Sequence, residues 1–183
     1  MISPLKYTLL PVAALVMLLS LTPAKAESLT LLTVTGSIEN TNRGPIDPDY
    51  DKLFVFNDVA FENAMQFDAS ALAALPQQTV RADFPKGGDV VEFTGPLLSD
   101  VLGAAGGSGD LVIVRALDGY AVEVPFEEMA EAGAVIAYSR DGKALGIGDF
   151  GPVQVVFPRA DREDLTEMPD DWWVYQVYNI AIE

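Results

Sequence analysis

The sequence predicts an α+β fold of mixed β-sheets with short helices, and three observations lead to that class. Short apolar segments recur along the chain, and each has the length and residue content of a strand. Pairs of glycine, proline, asparagine and aspartate separate these segments, as is typical of tight turns. The segments with helical spacing of apolar residues are few and short. Strands should therefore outnumber helices.

The first part of the domain alternates between strand and loop chemistry. Residues 29–38 are rich in Thr, Val and Leu and predict a strand. Residues 39–50 contain Gly-Pro and Asp-Pro pairs and predict a loop. The apolar run 53–56 does not distinguish helix from strand. Residues 67–72 predict a strand end that passes into a helix, with Asp68 as the N-cap.

The middle of the chain predicts two strands, a turn and a helix. Strands are expected over 78–82 and 90–93, around a turn at 85–88. A short helix is expected over 96–102, because Pro is tolerated in the first turn and the following residues form one apolar face. The glycine-rich run 103–109 should end that helix.

The last third of the chain predicts further strands. Asp118-Gly119 lies between two apolar runs, 111–117 and 120–124, and is a strong hairpin signal. The remaining predicted elements are, in order, a helix over 126–132, a strand over 134–139, a solvated turn with Arg140 and Lys143, a buried strand over 153–157 and a long final strand over 173–182.

The N-terminus has the features of a secretory signal. Lys6 precedes an uncharged apolar stretch, residues 7–21, and Ala24-Lys25-Ala26 fits the cleavage rule for small residues. We therefore expect a signal peptide over 1–26, a single domain over 27–183 and a periplasmic location. The alternative is an uncleaved anchor, although the apolar stretch is shorter than a bilayer-spanning helix requires.

Charge and composition exclude several functions. The chain has 27 acidic and 11 basic residues, a net charge of −16, and neither histidine nor cysteine. Nucleic acids and anionic lipid surfaces both require clustered Lys and Arg, so neither is an expected partner. Without thiolate or imidazole, the chain cannot carry out Ser-His or Cys-His catalysis.

Four segments, taken in this order and spacing, resemble one known family. They are 93–102 (FTGPLLSDVL), 116–120 (ALDGY), 151–153 (GPV) and 172–177 (WWVYQV). Together they resemble the oxidoreductase molybdopterin-binding domain family, which has the sulfite-oxidase-like fold. The resemblance covers roughly residues 29–182 and implies a pterin-binding scaffold.

The chain departs from the catalytic members of that family at their metal ligand. Those members hold molybdenum through a cysteine thiolate in the segment before the 93–102 motif. Here that segment is 79–85, with Arg81 or a neighbour at the corresponding place. An arginine cannot ligate molybdenum but can bind an anion or stack on a ring. We therefore expect a pterin, molybdopterin included, as the ligand, with no molybdenum, no metal ligand and no catalytic residue.

The resemblance suggests three groups near the pterin in the second half of the chain. Asp118 is either a carboxylate for the donor edge of the ring or only a turn residue. Tyr120 is either a pocket wall or a core aromatic. Trp172 is expected to face the pocket, since adjacent residues in a strand point to opposite faces and Trp173 would then lie in the core.

The resemblance places the other candidates around the former metal position. Arg81 and Asp83 share one face of a predicted strand, with Phe84 next, and form either a polar pocket floor or an exposed ion pair. Gly151 and Pro152 either allow close backbone approach to a ligand or form a structural turn.

One acidic segment, residues 161–171, precedes the final strand. Its spacing matches no EF-hand loop, so a solvated loop is favoured over a calcium site. It is also a candidate partner surface near the mouth of the pocket.

Three functions are consistent with these residues. The resemblance favours a periplasmic pterin-binding protein without molybdenum redox chemistry, which reports occupancy to the periplasmic part of a membrane signalling enzyme of the cyclic di-GMP type. The first alternative is a molybdopterin-dependent oxidoreductase for oxygen-atom transfer, in which Asp83 or Ser70 supplies a non-cysteine ligand. The second is an interaction module without a ligand, with Trp172 and Tyr120 filling the pocket.

Overall fold

The computed structural model describes residues 28–183, and the expected signal peptide lies outside the described residues. Within 28–183, no helix is long and apolar enough to cross a membrane. The strands are β1 (Thr30–Gly36), β2 (Met65–Asp68), β3 (Gln77–Asp83), β4 (Val90–Pro96), β5 (Leu111–Ala116), β6 (Ala121–Pro125), β7 (Val135–Ala137), β8 (Ser139–Arg140), β9 (Lys143–Ala144), β10 (Gln154–Val156) and β11 (Val177–Ile182). The helices are α1 (Lys52–Phe56), α2 (Ala69–Ala73), α3 (Leu98–Ala104) and α4 (Phe126–Glu131). The fold is α+β, as the sequence predicts.

The largest sheet has five strands in the order β2-β1-β11-β5-β6. β1 and β11 run parallel, and the other neighbours are antiparallel. The C-terminal strand β11 is buried along its whole length, because it lies in the centre of the sheet. The buried Asn179 side chain donates to the carbonyl of Thr33 at 3.0 Å and to the Thr35 hydroxyl at 3.1 Å, which satisfies these polar groups inside the sheet.

Two smaller sheets complete the domain. One has the order β3-β4-β8-β9, and the other consists of β10 and β7. β4 passes very close to β7 at Gly95, where an added Cβ would lie 2.0 Å from the carbonyl oxygen of Ile136. Only glycine permits this approach, which joins the four-stranded sheet to the core.

One main hydrophobic core joins the sheets, and a second, smaller cluster lies beneath α1. The smaller cluster consists of Phe54, Val59, Phe61, Ala64 and Tyr178, with Leu117 packed against it. It connects α1 to the central sheet through Tyr178, a residue of β11, and through Leu117, which follows β5.

Several predicted local structures are confirmed. The Asp68 carboxylate caps α2 by accepting from the Ala71 N–H at 2.7 Å. β5 and β6 form the hairpin predicted from Asp118-Gly119. The helix predicted from residue 126 is α4, and the turn at 140–143 joins β8 to β9.

Other boundaries were predicted wrongly, for identifiable reasons. Pro96 is the last residue of β4 rather than the start of a helix, and α3 begins at Leu98. The apolar run 53–56, which the sequence left open between helix and strand, lies in helix α1. The final strand begins at Val177 rather than at Trp173, because Gln176 has a left-handed backbone (φ +52°) that interrupts the extended chain.

Candidate functional site

A cavity of about 300 Å³ lies between the β5–β6 turn and the segment that precedes β11. Its lining is largely aromatic and acidic. The lining residues are Phe84, Ala116, Asp118, Tyr120, Asp170, Asp171, Trp173, Val174 and Tyr175. A small apolar cavity with a few polar groups is the usual form of a small-molecule site.

Aromatic rings form one side of this cavity. The rings of Phe84 and Trp173 are stacked, with centroids 5.9 Å apart and planes inclined by 10°. Tyr175 contacts Phe84 at 6.2 Å, and Phe150 lies edge-on to Phe84 at 5.6 Å. These contacts hold Trp173 and Phe84 in fixed orientations, so the wall is preformed for a flat ring.

A buried arginine supports the wall from behind. Arg159 is 6% exposed, and its guanidinium carbon lies 4.2 Å from the centroid of the Trp173 ring, a cation–π contact. Its Nε donates to Asp83 Oδ1 at 2.6 Å, and its Nη1 donates to Asp170 Oδ1 at 2.8 Å. Further bonds go to the carbonyl oxygens of Asp83 and Met168. Arg159 therefore ties the end of β3 to the segment that carries Asp170.

The carboxylate of Asp83 is held in its ionised form by this network. Partial burial acts to raise its pKa, but hydrogen bonds from the Gly87 N–H and from Arg159, together with the charge of Arg159, outweigh burial and lower it. Asp83 therefore binds Arg159 and does not line the cavity.

The β5–β6 turn forms the opposite side of the cavity. Asp118 Oδ1 accepts from the Tyr120 N–H at 2.9 Å, so this oxygen stabilises the turn. The Tyr120 hydroxyl donates to the carbonyl oxygen of Asp171 at 3.0 Å and links the two sides. Partial burial and the nearby charge of Asp171 raise the pKa of Tyr120, so its phenol stays protonated and acts as a donor at neutral pH.

The charge of the cavity is negative. Asp118, Asp170 and Asp171 all line it, and none of the described residues that line it is a lysine or an arginine. The nearest cation described above, Arg159, already donates to two carboxylates. The carboxylates of the cavity can therefore accept hydrogen bonds from a donor edge of a ligand. The residues that line it provide no positive charge that would attract an anion.

The structure brings only some of the predicted site residues to the cavity. Phe84, Asp118 and Tyr120 line it. Arg81 does not, since it is exposed and its Nη1 donates to Asp161 Oδ1 at 2.9 Å. Asp83 lies behind the wall, bound to Arg159.

Two further predicted residues lie beside the aromatic wall rather than on the cavity. Gly151 is buried, and an added Cβ would lie 2.5 Å from the carbonyl oxygen of Leu145, so its close approach is to protein backbone. Pro152 follows it and is half-buried. Neither is among the residues that line the cavity.

The expectation for the two tryptophans holds only in part. Trp173 belongs to the main core and is 1% exposed, as expected, but the residue that also reaches the cavity is not the expected one. Trp173, not Trp172, lines the cavity, and Trp172 packs partly buried against the main core. The reason is local, because Asp170–Trp172 form a 3₁₀ turn instead of the start of a strand. Strand alternation therefore does not apply to this pair.

Sequence reasoning missed Arg159, Tyr175 and the position of Asp170 and Asp171. Arg159 follows a buried strand in a chain with few cations, which is the one signal that marks it. Asp170 and Asp171 were assigned to a solvated loop, yet the end of that loop folds back onto the cavity. The rest of the acidic segment is largely exposed, and Arg162 pairs there with Asp164.

Two further cavities lie elsewhere on the domain. A larger groove of about 750 Å³ runs beside β1 and α1 and includes the ion pair between Arg43 and Asp51. A third cavity, of about 340 Å³, lies beside the β8–β9 turn and includes Arg140 and Lys143. Neither combines stacked aromatic rings with carboxylates as the first cavity does.

Comparisons with known proteins identify the family and the fold. The profile of the family described as "Oxidoreductase molybdopterin binding domain" matches residues 42–160. The fold is similar to that of the sulfane dehydrogenase SoxCD from Paracoccus pantotrophus, with a TM-score of 0.57, 18% sequence identity and 84% of this chain covered. The chain spans 38% of the length of that protein. No curated protein matches the sequence. The family match covers more than half of the chain, which therefore belongs to the oxidoreductase molybdopterin-binding domain family.

Proposed function

We propose that this chain is a periplasmic pterin-binding protein without molybdenum redox chemistry, and that it regulates a membrane signalling enzyme that makes or degrades cyclic di-GMP. One observation carries the proposal: a cavity in this family's fold joins a preformed aromatic wall, Phe84 and Trp173, to carboxylates from two other segments. This combination suits a pterin, because a pterin is a flat bicyclic ring with a donor edge formed by N3–H and the 2-amino group.

Asp118 and Asp171 are the groups that would bind the donor edge of the ring. A carboxylate accepts two parallel hydrogen bonds from such an edge, and these charge-assisted bonds are the strong ones. The second oxygen of Asp118 is not required by the β5–β6 turn, which uses Oδ1. The ring face would lie against the aromatic wall, with an expected gain of about 1 kcal/mol beyond area burial.

Trp173 would supply a hydrogen-bond donor from its ring edge. The residue is 1% exposed, because Phe84 stacks on its ring and Arg159 lies over it, so it would hold the wall in place rather than offer a free face. Its indole Nε1 is buried and has no hydrogen-bond partner among the described residues. A buried donor without an acceptor costs about 1–3 kcal/mol, so an acceptor on the ligand would recover that energy. The pterin carbonyl or a ring nitrogen is such an acceptor.

The residues fit the pterin ring but not the rest of a molybdenum cofactor. The chain has no cysteine to supply a thiolate. The two oxygen ligands considered above are both engaged, since Asp83 binds Arg159 and the Ser70 hydroxyl donates to Asp68 Oδ1 at 2.7 Å. Among residues 28–183, no group of three or more metal-ligating side chains is arranged to hold a metal. A phosphate would face carboxylates rather than cations in this cavity.

Regulation requires that a partner bind the occupied and empty proteins with different affinities. The segment that follows Arg159 supports such a role, because Asp170 and Asp171 line the cavity while the preceding acidic residues are exposed. Occupancy of the cavity would therefore act on a segment that is accessible to another protein.

The proposal is tested on the chain expressed with its N-terminal signal and purified from the periplasm. Acid release should yield about one fluorescent pterin per chain, and elemental analysis of the same sample should find no molybdenum. Molybdenum at about one atom per chain would assign the protein to the oxidoreductases. Absence of both, together with no binding of a panel of reduced and oxidised pterins, would leave an interaction module.

A further inference from the structure

We propose that the outward face of α1 is the docking surface for a protein partner that presents apolar side chains framed by lysine or arginine, and that the β5–β6 turn couples this surface to the cavity. The inference rests on the proposed function, since it specifies where the regulated partner binds and by what chemistry.

The α1 surface exposes large apolar side chains. Phe56 is 82% exposed and Val55 is 42% exposed, whereas Phe54 of the same helix is buried in the smaller cluster. Tyr50, two residues before the helix, is 86% exposed. Neighbouring apolar side chains that stay together in solvent mark interaction sites, and aromatic residues dominate the binding energy of such sites.

Acidic residues frame this apolar surface. Asp47, Asp49, Asp58 and Glu62 are all exposed. Lys52 is the single cation in residues 47–62, and its Nζ donates to the carbonyl oxygen of Pro48 at 2.8 Å. A partner with a basic rim is therefore favoured, whereas a second copy would bring like charges together.

The helix is joined to the cavity through the β5–β6 turn. Gly119 lies between Asp118 and Tyr120, the two turn residues that line the cavity. A Cβ added at Gly119 would lie 3.1 Å from Oδ1 of Asn57, the residue that ends α1 immediately after Phe56.

A second contact strengthens this link. Leu117, which directly precedes Asp118, packs against the smaller cluster that includes Phe54 of α1. A ligand that binds Asp118 would therefore act on a turn that lies close to Asn57 at the end of α1 and is anchored by Leu117 in the smaller cluster. Such a contiguous contact is the physical route by which occupancy changes a docking surface.

Calorimetric titration with a synthetic amphipathic helical peptide of leucine and lysine tests the surface. The double substitution Val55→Ser with Phe56→Ser should weaken peptide binding at least about tenfold, as expected for loss of a central aromatic anchor. A matched double substitution, Val90→Ser with Ile147→Ser, removes two apolar residues that are 48% and 66% exposed on other elements. It should change the affinity less than about twofold. A serine–lysine peptide of equal charge controls for simple attraction to the acidic protein.

The same titration with saturating pterin tests the coupling. Pterin should change the affinity of the wild-type protein for the leucine–lysine peptide by about fivefold. Pterin that binds without changing peptide affinity would overturn this inference and leave the proposed function standing, whereas failure to bind pterin would overturn both. Equal peptide binding by the two double variants would overturn the docking surface. So would a wild-type homodimer that the substitutions at 55 and 56 abolish, because a second copy would then occupy the surface.

Discussion

The guanidinium carbon of Arg159 lies 4.2 Å from the centroid of the Trp173 ring, so a buried cation supports the aromatic wall of the cavity. The same guanidinium binds Asp83 and Asp170, which belong to segments far apart in sequence. This one side chain therefore joins the end of β3, the acidic segment and the cavity wall. A cation in this position organises the site without offering its charge to a ligand.

Replacing Arg159 should destabilise the whole domain. In Arg159→Ala, two carboxylates and two carbonyl oxygens lose their donor, and we expect a loss of about 3–5 kcal/mol in the free energy of unfolding. Urea denaturation followed by circular dichroism measures it. The matched control is Arg162→Ala, which removes an exposed ion pair with Asp164 and should cost less than about 1 kcal/mol. Equal losses in the two variants would contradict the structural role of Arg159.

The cavity was only partly predictable from the sequence. The β5–β6 hairpin was predicted because Asp-Gly between two apolar runs is a strong local signature, and the family resemblance then named Asp118 and Tyr120 as site residues. The Asp68 cap was predictable for the same reason. These features depend on neighbours in sequence, which a single chain displays directly.

The remaining site residues depend on contacts that local patterns do not encode. Trp172 was preferred over Trp173 because a strand was assumed, and the 3₁₀ turn that reverses their roles has no strong signature. Arg159 binds Asp83 across 76 positions of sequence, so nothing near either residue reveals the pair. Long-range ion pairs of this kind become visible only when the fold is known.

Trp173 rather than Trp172 should control ligand affinity. Trp173→Phe removes the indole N–H and part of the support for Phe84, so we expect pterin to bind about tenfold more weakly. Trp172→Phe should change the dissociation constant less than about twofold, since the side chain packs against the core away from the cavity. Fluorescence titration with pterin measures both. A larger loss in the Trp172 variant would show that the cavity wall is assigned to the wrong residue.

The carboxylate of Asp118 should contribute charge-assisted hydrogen bonds to the ligand. Asp118→Asn should weaken pterin binding by about ten- to a hundredfold, the range for loss of a hydrogen bond to a charged group. Glu123→Gln is the matched control, because Glu123 is an exposed acid on β6 of the same hairpin and does not line the cavity. Calorimetry of both variants separates local hydrogen bonding from a general effect of net charge. If the two variants bind equally, Asp118 is only a turn residue.

The acidic lining should discriminate against phosphorylated pterins. A pterin with a phosphate ester on its side chain should bind at least about tenfold more weakly than its unphosphorylated form, because Asp118 and Asp171 line the site and the third carboxylate, Asp170, is already paired with Arg159. The difference in affinity between the two pterins should decrease at high salt, because salt screens the repulsion. It should also decrease in Asp171→Asn, because that variant removes one of the negative charges. Competition against a fluorescent pterin measures the ratio. Tighter binding of the phosphate ester would contradict the electrostatic account.

Asp68 should titrate far below its ordinary range. Hydrogen bonds from the Ser28 and Ser70 hydroxyls and from the Ala71 N–H lower its pKa from 3.8 to about 2. A carboxylate with a depressed pKa stabilises the folded state above its unfolded pKa, and this contribution is lost as the pH falls from about 4 to about 2. NMR titration of the Asp68 side-chain carbon should show the low midpoint. In the double variant Ser28→Ala with Ser70→Ala, the midpoint should move back toward 3.8; an unchanged midpoint would refute the assigned cause.

The position of a bound pterin tests the central claim most directly. A crystal structure of the protein soaked with pterin should show the ring against the aromatic wall of Phe84 and Trp173, near the Trp173 ring edge, with its N3–H and 2-amino edge about 3 Å from the carboxylate of Asp118 or Asp171. The same map should show no metal beside the ring. A pterin in the larger groove beside Arg43, or an empty cavity at a pterin concentration that saturates binding in solution, would contradict the account.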